Sequence, residues 1–116
     1  MSTYDPKRSQ VSDDALATFL SADVVSDLRV VPGVGPKAAE MLENACVETT
    51  HALLGTFLTC KKRNMDVTAH CGAFWDWLTT AGITRHRATI VHCVAEKIDL
   101  FMPGIYDASD VDASMR

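Results

Sequence analysis

No stretch of this 116-residue chain is apolar for long enough to cross a membrane, so a membrane-embedded protein is excluded as an expectation. The first residues, Met1 to Arg8, contain no apolar segment of the signal-peptide kind, and an intracellular protein of nucleus or cytoplasm is expected. There is no Cys-x-x-Cys: the cysteines stand alone at 46, 60, 71 and 93. In such a compartment they read as reduced, mostly buried thiols. The pairs His70-Cys71 and His92-Cys93 match no zinc-finger spacing, and neighbours on a helix point about 100° apart, so no metal is expected. No internal repeat, low-complexity tract or sustained alternation of apolar and polar residues is present, which argues against a β protein. No nucleophile–base pair, carboxylate constellation or nucleotide loop is recognisable, so a non-enzymatic protein without a cofactor is expected. A basic excess is lacking as well: the net charge is −4.

What is present is 47% hydrophobic residues, enough for one domain with a modest core. Apolar residues recur at helical intervals, which predicts an all-α bundle of about five helices over residues 12–105. Residues 1–11 are expected to be a flexible arm and 106–116 an acidic mobile tail. Ser12 is the expected N-cap of a helix near 13–21, with Asp13 and Asp14 in its first turn. Val24, Val25, Leu28 and Val31 place a second helix at about 22–30, and a third runs from Pro36 to about Asn44. Thr49 or Thr50 caps a helix with Leu53, Leu54, Phe57 and Leu58 inward, reaching about Lys61. Gly55 inside it hints at a close contact. A helix over about 68–80 puts Phe74, Trp77 and Leu78 inward and stops at Gly82. Trp75 does not share that face and either packs on another element or meets a partner. Thr84 is the expected cap of the last helix, which buries Ile90, Val91, Val94, Ile98 and Phe101 before Pro103-Gly104.

The run from Leu28 to Ala39, with Pro32-Gly33-Val34-Gly35-Pro36-Lys37 at its centre, carries the chemistry. It reads as the turn and second-helix start of a helix-hairpin-helix. Gly33 and Gly35 permit positive φ and close approach of a ligand. Pro36 suits the first helical position, where a missing N–H costs nothing. The free amides and positive dipole end then form an anion site beside Lys37, suited to a phosphate diester. The alternative is a plain turn joining two core helices.

Charge is unevenly spread. Residues 1–27 hold Lys7 and Arg8 against five aspartates, and residues 106–116 hold Arg116 against three, so the middle of the chain is close to neutral. DNA binding needs a local basic face rather than a basic total. Arg85 and Arg87 fall at the expected start of the last helix, an unfavourable place for cations. They are either simply solvated or matched by an anionic partner. Lys61-Lys62-Arg63 either complement a helix C-terminus or meet phosphate. Glu40 and Glu43 should weaken phosphate binding unless they point away.

Between Leu28 and Met102 the chain resembles the barrier-to-autointegration factor family. The resemblance rests on Gly33-Val34-Gly35, then Leu54-Gly55 with Phe57-Leu58, Lys61-Lys62, Phe74 with Trp77-Leu78, and Cys93, Glu96, Asp99 and Phe101. It departs from the family at Glu40 and Met41, where lysines follow the family's hairpin, and in about six extra residues between Lys62 and Phe74. The resemblance implies a compact sterile-alpha-motif-like helical domain that binds double-stranded DNA without sequence preference. It further implies a homodimer that bridges two duplexes and offers a groove to a protein partner. Carried over by position, Gly33, Val34, Gly35, Pro36 and Lys37 would touch phosphate, Arg85 would supply a cation, and Lys7 and Arg8 would echo a basic arm. The competing expectation is a sterile-alpha-motif-like protein-interaction module without DNA, favoured by Trp75, the insertion and the acidic ends.

Overall fold

The computed structural model describes residues 4–107. Five α-helices occur among the described residues: α1 Asp13–Ser21, α2 Pro36–Asn44, α3 Thr50–Thr59, α4 Val67–Thr80 and α5 Arg87–Phe101. No strand occurs among the described residues. None of these helices is long and apolar enough to cross a membrane. Local chemistry accounts for most of the boundaries. Ser12, Thr49 and Asp66 each accept a hydrogen bond from a first-turn amide, of Ala15, Ala52 and Ala69 respectively. Pro36 opens α2 at the first helical position. Gly82, at φ +99°, takes the left-handed turn that ends the α4 region.

The centre of the bundle is α5, which packs against α4, α1, α3 and a 3₁₀ turn at Pro6–Arg8. Its Ile90, Val91, Cys93, Val94 and Ala95 are wholly buried. Leu42, Leu53, Phe57, Phe74 and Leu78 close around them.

Four expectations are corrected. Residues 22–30 do not form a helix; only Leu28–Val30 makes one 3₁₀ turn. The Ser26 carbonyl accepts from Thr50 N and the Asp27 carbonyl from Thr50 Oγ1, so α3 claims the groups that a helix would have used internally. Val25 is left exposed.

Residues 4–11 are folded onto the bundle rather than free. Tyr4 is buried, Gln10 N donates to Thr89 Oγ1 at 2.8 Å, and Ser9 Oγ is 2.9 Å from His92 Nδ1.

Phe101 faces solvent at 60% exposure. After α5 the chain turns at Gly104, where Asp99 Oδ1 accepts the Gly104 amide, and Tyr106 takes the inner place beside Tyr4. Tyr106 is thus core; the rest of the expected tail, from 108 on, lies outside the described residues.

Gly55 marks no close contact, because a Cβ built there meets nothing within 4 Å.

His70 and Lys97 are buried polar residues that periodicity did not single out. The His70 ring stacks on Phe57 with centroids 4.0 Å apart, and Nε2 donates to the Phe57 carbonyl at 2.7 Å. Nδ1 has no partner. Burial pulls the His70 pKa below its ordinary 6.5, opposed by the Phe57 bond and aided by Lys61. The unfolded chain therefore binds this proton more readily than the folded one. His70 should cost stability as pH falls from 6.5 through the lowered pKa, and cost nothing above 6.5. Denaturant midpoints measured between about pH 7.5 and about pH 5 should fall, and His70→Gln should flatten part of that slope. An identical slope in the variant would remove His70 as a cause.

Candidate functional site

Val31 to Lys37 form the turn that sequence singled out. The Val34 amide donates to the Val31 carbonyl at 3.0 Å, and Val34 itself is buried. The two glycines differ. Gly33 has φ +94°, and a Cβ there would lie 3.0 Å from Ile90 Cγ1 and 3.3 Å from the His86 backbone oxygen. It lets the turn press against the start of α5. Gly35 is extended, with φ −94° and ψ −174°, and a Cβ there would meet nothing. The expectation of positive φ thus holds for Gly33 and fails for Gly35, whose lack of a side chain leaves the mouth of α2 open.

Gly35 is the N-cap of α2 and supplies no side-chain bond. Helix geometry leaves the amides of Lys37 and Ala38 without an intrahelical acceptor. The N-cap of α5 is His86, in the left-handed conformation at φ 60° and likewise without a side-chain cap. This corrects the expectation that Thr84 caps α5: Arg85 lies before the helix and Arg87 is its first residue. Histidine is one of the non-glycine residues that tolerate positive φ, a signal present in the sequence but weak.

The two uncapped helix starts border one cavity of about 380 Å³, lined by Lys37, Ala38, Met41, Ile83 and Arg85 among others. A wider groove of about 520 Å³ adjoins it through Thr84, Arg85 and His86 and runs to Lys7 and Arg8. Five cations line this combined surface: Lys7, Arg8, Lys37, Arg85 and Arg87. Among the described residues, Asp5 is the one carboxylate that lines it. Its Oδ1 accepts the Lys7 amide at 2.9 Å. Such an excess of one sign in a concave surface concentrates counter-charge.

Arg87 is held in place. Its guanidinium lies 3.8 Å from the Trp75 ring centroid and donates to Thr79 Oγ1. Trp75 is therefore half-buried under Arg87 and has a place within the monomer. Glu40 and Glu43 lie elsewhere. With Asp27 and Glu48 they line a separate depression of about 290 Å³ on another side of α2. Lys61 is tied into the α3–α4 turn, Nζ donating to the Met65 carbonyl at 2.6 Å.

All four cysteines are free thiols. Burial pushes Cys71 and Cys93 up to about 12, so neither is a nucleophile near neutral pH. No group of three or more His, Cys, Asp or Glu converges among the described residues. What the cationic surface can do is bind anions. All eight sequence-predicted site residues surround it or its hairpin wall, with Val34 buried beneath. His86, Met41 and Ile83 join the site without having been foreseen.

No family model matches the chain, and neither a curated protein nor a solved structure matches it.

Proposed function

We infer that this chain binds double-stranded DNA through the phosphate backbone, without reading sequence and without catalysing a reaction. One observation carries this: Lys37 and the uncapped start of α2 share a surface with Arg85, Arg87, Lys7 and Arg8, while Glu40 and Glu43 line a different side of α2. Amides at a helix start and clustered cations are the groups that meet phosphates. The resemblance to the barrier-to-autointegration factor family supports the same function and suggests that two copies bridge two duplexes. The hairpin here has a 3₁₀ turn in place of its first helix, so the helix-hairpin-helix likeness rests on its turn and second helix.

The test is a titration of generic duplex DNA at low and moderate salt. Binding at low salt that fades as salt rises is expected, with no preference among duplex sequences. Lys37→Ala should weaken it uniformly and lower the salt slope by about one. No binding at low salt would sink this function.

A second reading has its own observation. Leu100, Phe101 and Met102 are at least half exposed at the end of α5. Such a cluster favours a protein contact, either the partner copy of a homodimer or another protein. It replaces Trp75, which is satisfied by Arg87, as the motive for self-association. Sedimentation of the parent and of Phe101→Asp separates these outcomes: a parent that stays monomeric at high concentration removes the dimer.

A further inference from the structure

The cavity between the hairpin and the α4–α5 turn is more than a phosphodiester needs. Backbone phosphates lie on the outside of a duplex and are met by groups on an open surface. This site is a cavity of about 380 Å³, within the size range of small-ligand pockets. Ala38, Met41 and Ile83 give it apolar walls, while the exposed Lys37 and Arg85 bring cations to it. Gly82 keeps it roomy: a Cβ there would come within 3.2 Å of Met41 Sδ. The unbranched thioether of Met41 can adjust to a flat guest. An apolar cavity flanked by cations suits a heterocycle that carries a phosphate.

We propose that this cavity receives an unpaired nucleobase of a DNA strand, its flanking phosphates held by Lys37 and Arg85, so that DNA with single-stranded ends is preferred over continuous duplex. The proposal rests on the neighbouring groove holding DNA. The base belongs to a strand rather than to a free nucleotide because the cavity shares Thr84, Arg85 and His86 as lining with the adjoining groove of Lys7, Arg8 and Arg87, where the rest of a strand would find its cations. A lone nucleotide would leave those three cations unused. A base inside a duplex must first be unpaired and unstacked, which costs free energy; an overhanging base costs least. The pocket therefore discriminates by strand state.

The experiment compares three probes by fluorescence anisotropy or competition: a blunt duplex of about 20 base pairs, the same duplex with overhangs of about three nucleotides, and a free mononucleotide. The overhang duplex is expected to bind at least about fivefold tighter than the blunt one, with the mononucleotide far weaker than both. Ala38→Trp, which fills the cavity from a half-buried position, should abolish the preference, so that overhang and blunt duplexes bind the variant equally. If that variant does not fold, Met41→Phe fills the same space from the next turn of α2. Equal affinity for blunt and overhang duplexes overturns the proposal while leaving the groove's role intact. A mononucleotide as tight as the overhang duplex overturns the strand as the source of the base. Failure to bind any DNA overturns the proposal together with the function it rests on.

Discussion

Lys97→Ala should lower the unfolding free energy by about 3 kcal/mol or more, since each hydrogen bond to a charged group contributes about 1.5–3 kcal/mol. Lys97 is only 2% exposed, in the middle of α5. Its Nζ donates to the carbonyls of Phe19, Leu20 and Ala22 at 2.8, 3.0 and 2.5 Å. Three acceptors for three N–H groups mean that the side chain is held as the ammonium. Those carbonyls belong to the C-terminal end of α1, where the helix dipole is negative and the last C=O groups lack internal partners. The Nζ also lies 5.3 Å from the Phe19 ring centroid. Burial lowers the Lys97 pKa, with Asp23 acting in the opposite sense. Lys97→Met keeps most of the stem and removes the donors, so it should lose nearly as much as alanine. Urea denaturation measures both. A loss below about 1 kcal/mol in each would mean that water serves the α1 carbonyls equally well.

Gly35→Glu should abolish duplex binding, by at least about tenfold at low salt, with an unchanged melting temperature. The new side chain starts in open space on extended backbone, so folding is not disturbed. It places a carboxylate over the amides of Lys37 and Ala38 and beside the Lys37 cation. Charge repulsion and occupation of the anion site then act together. Gly33 provides the contrast. At φ +94°, with Ile90 Cγ1 3.0 Å from a built Cβ, Gly33→Ala should cost about 2 kcal/mol of stability through strain and crowding. Thermal melts and DNA titrations of the two variants separate the roles: one glycine for ligand access, the other for packing. Normal DNA affinity in a folded Gly35→Glu protein would remove the hairpin from the interface.

The helices were legible where local chemistry and core packing agree. Ser12, Thr49 and Pro36 each mark a helix start through groups within one turn, and the bounds of α1, α2 and α3 follow closely. Val24, Val25, Leu28 and Val31 show the same spacing yet form no helix. There the bonds from Thr50 to Ser26 and Asp27, distant in sequence, outweigh periodicity. The cap of α5 was misplaced for a related reason. Thr84 has the better capping side chain, but Gly33 pressing on Ile90 and His86 accompanies a left-handed His86 and a later helix start. Phe101 reads as core by spacing, whereas Tyr106 occupies the inner place after a turn anchored by Asp99.

The candidate site divides in the same way. Every cation in it was visible as a residue: Lys37 in the hairpin, Lys7 and Arg8 near the N-terminus, Arg85 and Arg87 before and at the start of α5. Their gathering on one surface was not, because it depends on Pro6–Arg8 folding onto α5 and on the hairpin packing against the same helix. Sequence by itself determined an all-α chain, its hairpin turn and its supply of cations, since helical periodicity, proline and glycine geometry, and charge are properties of neighbouring residues. Only the tertiary structure decided which glycine is strained, which way Glu40 and Glu43 face, and that Lys97 closes the end of α1. Each of those depends on contacts between segments far apart in the chain, and burial and hydrogen-bond satisfaction are settled only when such segments meet.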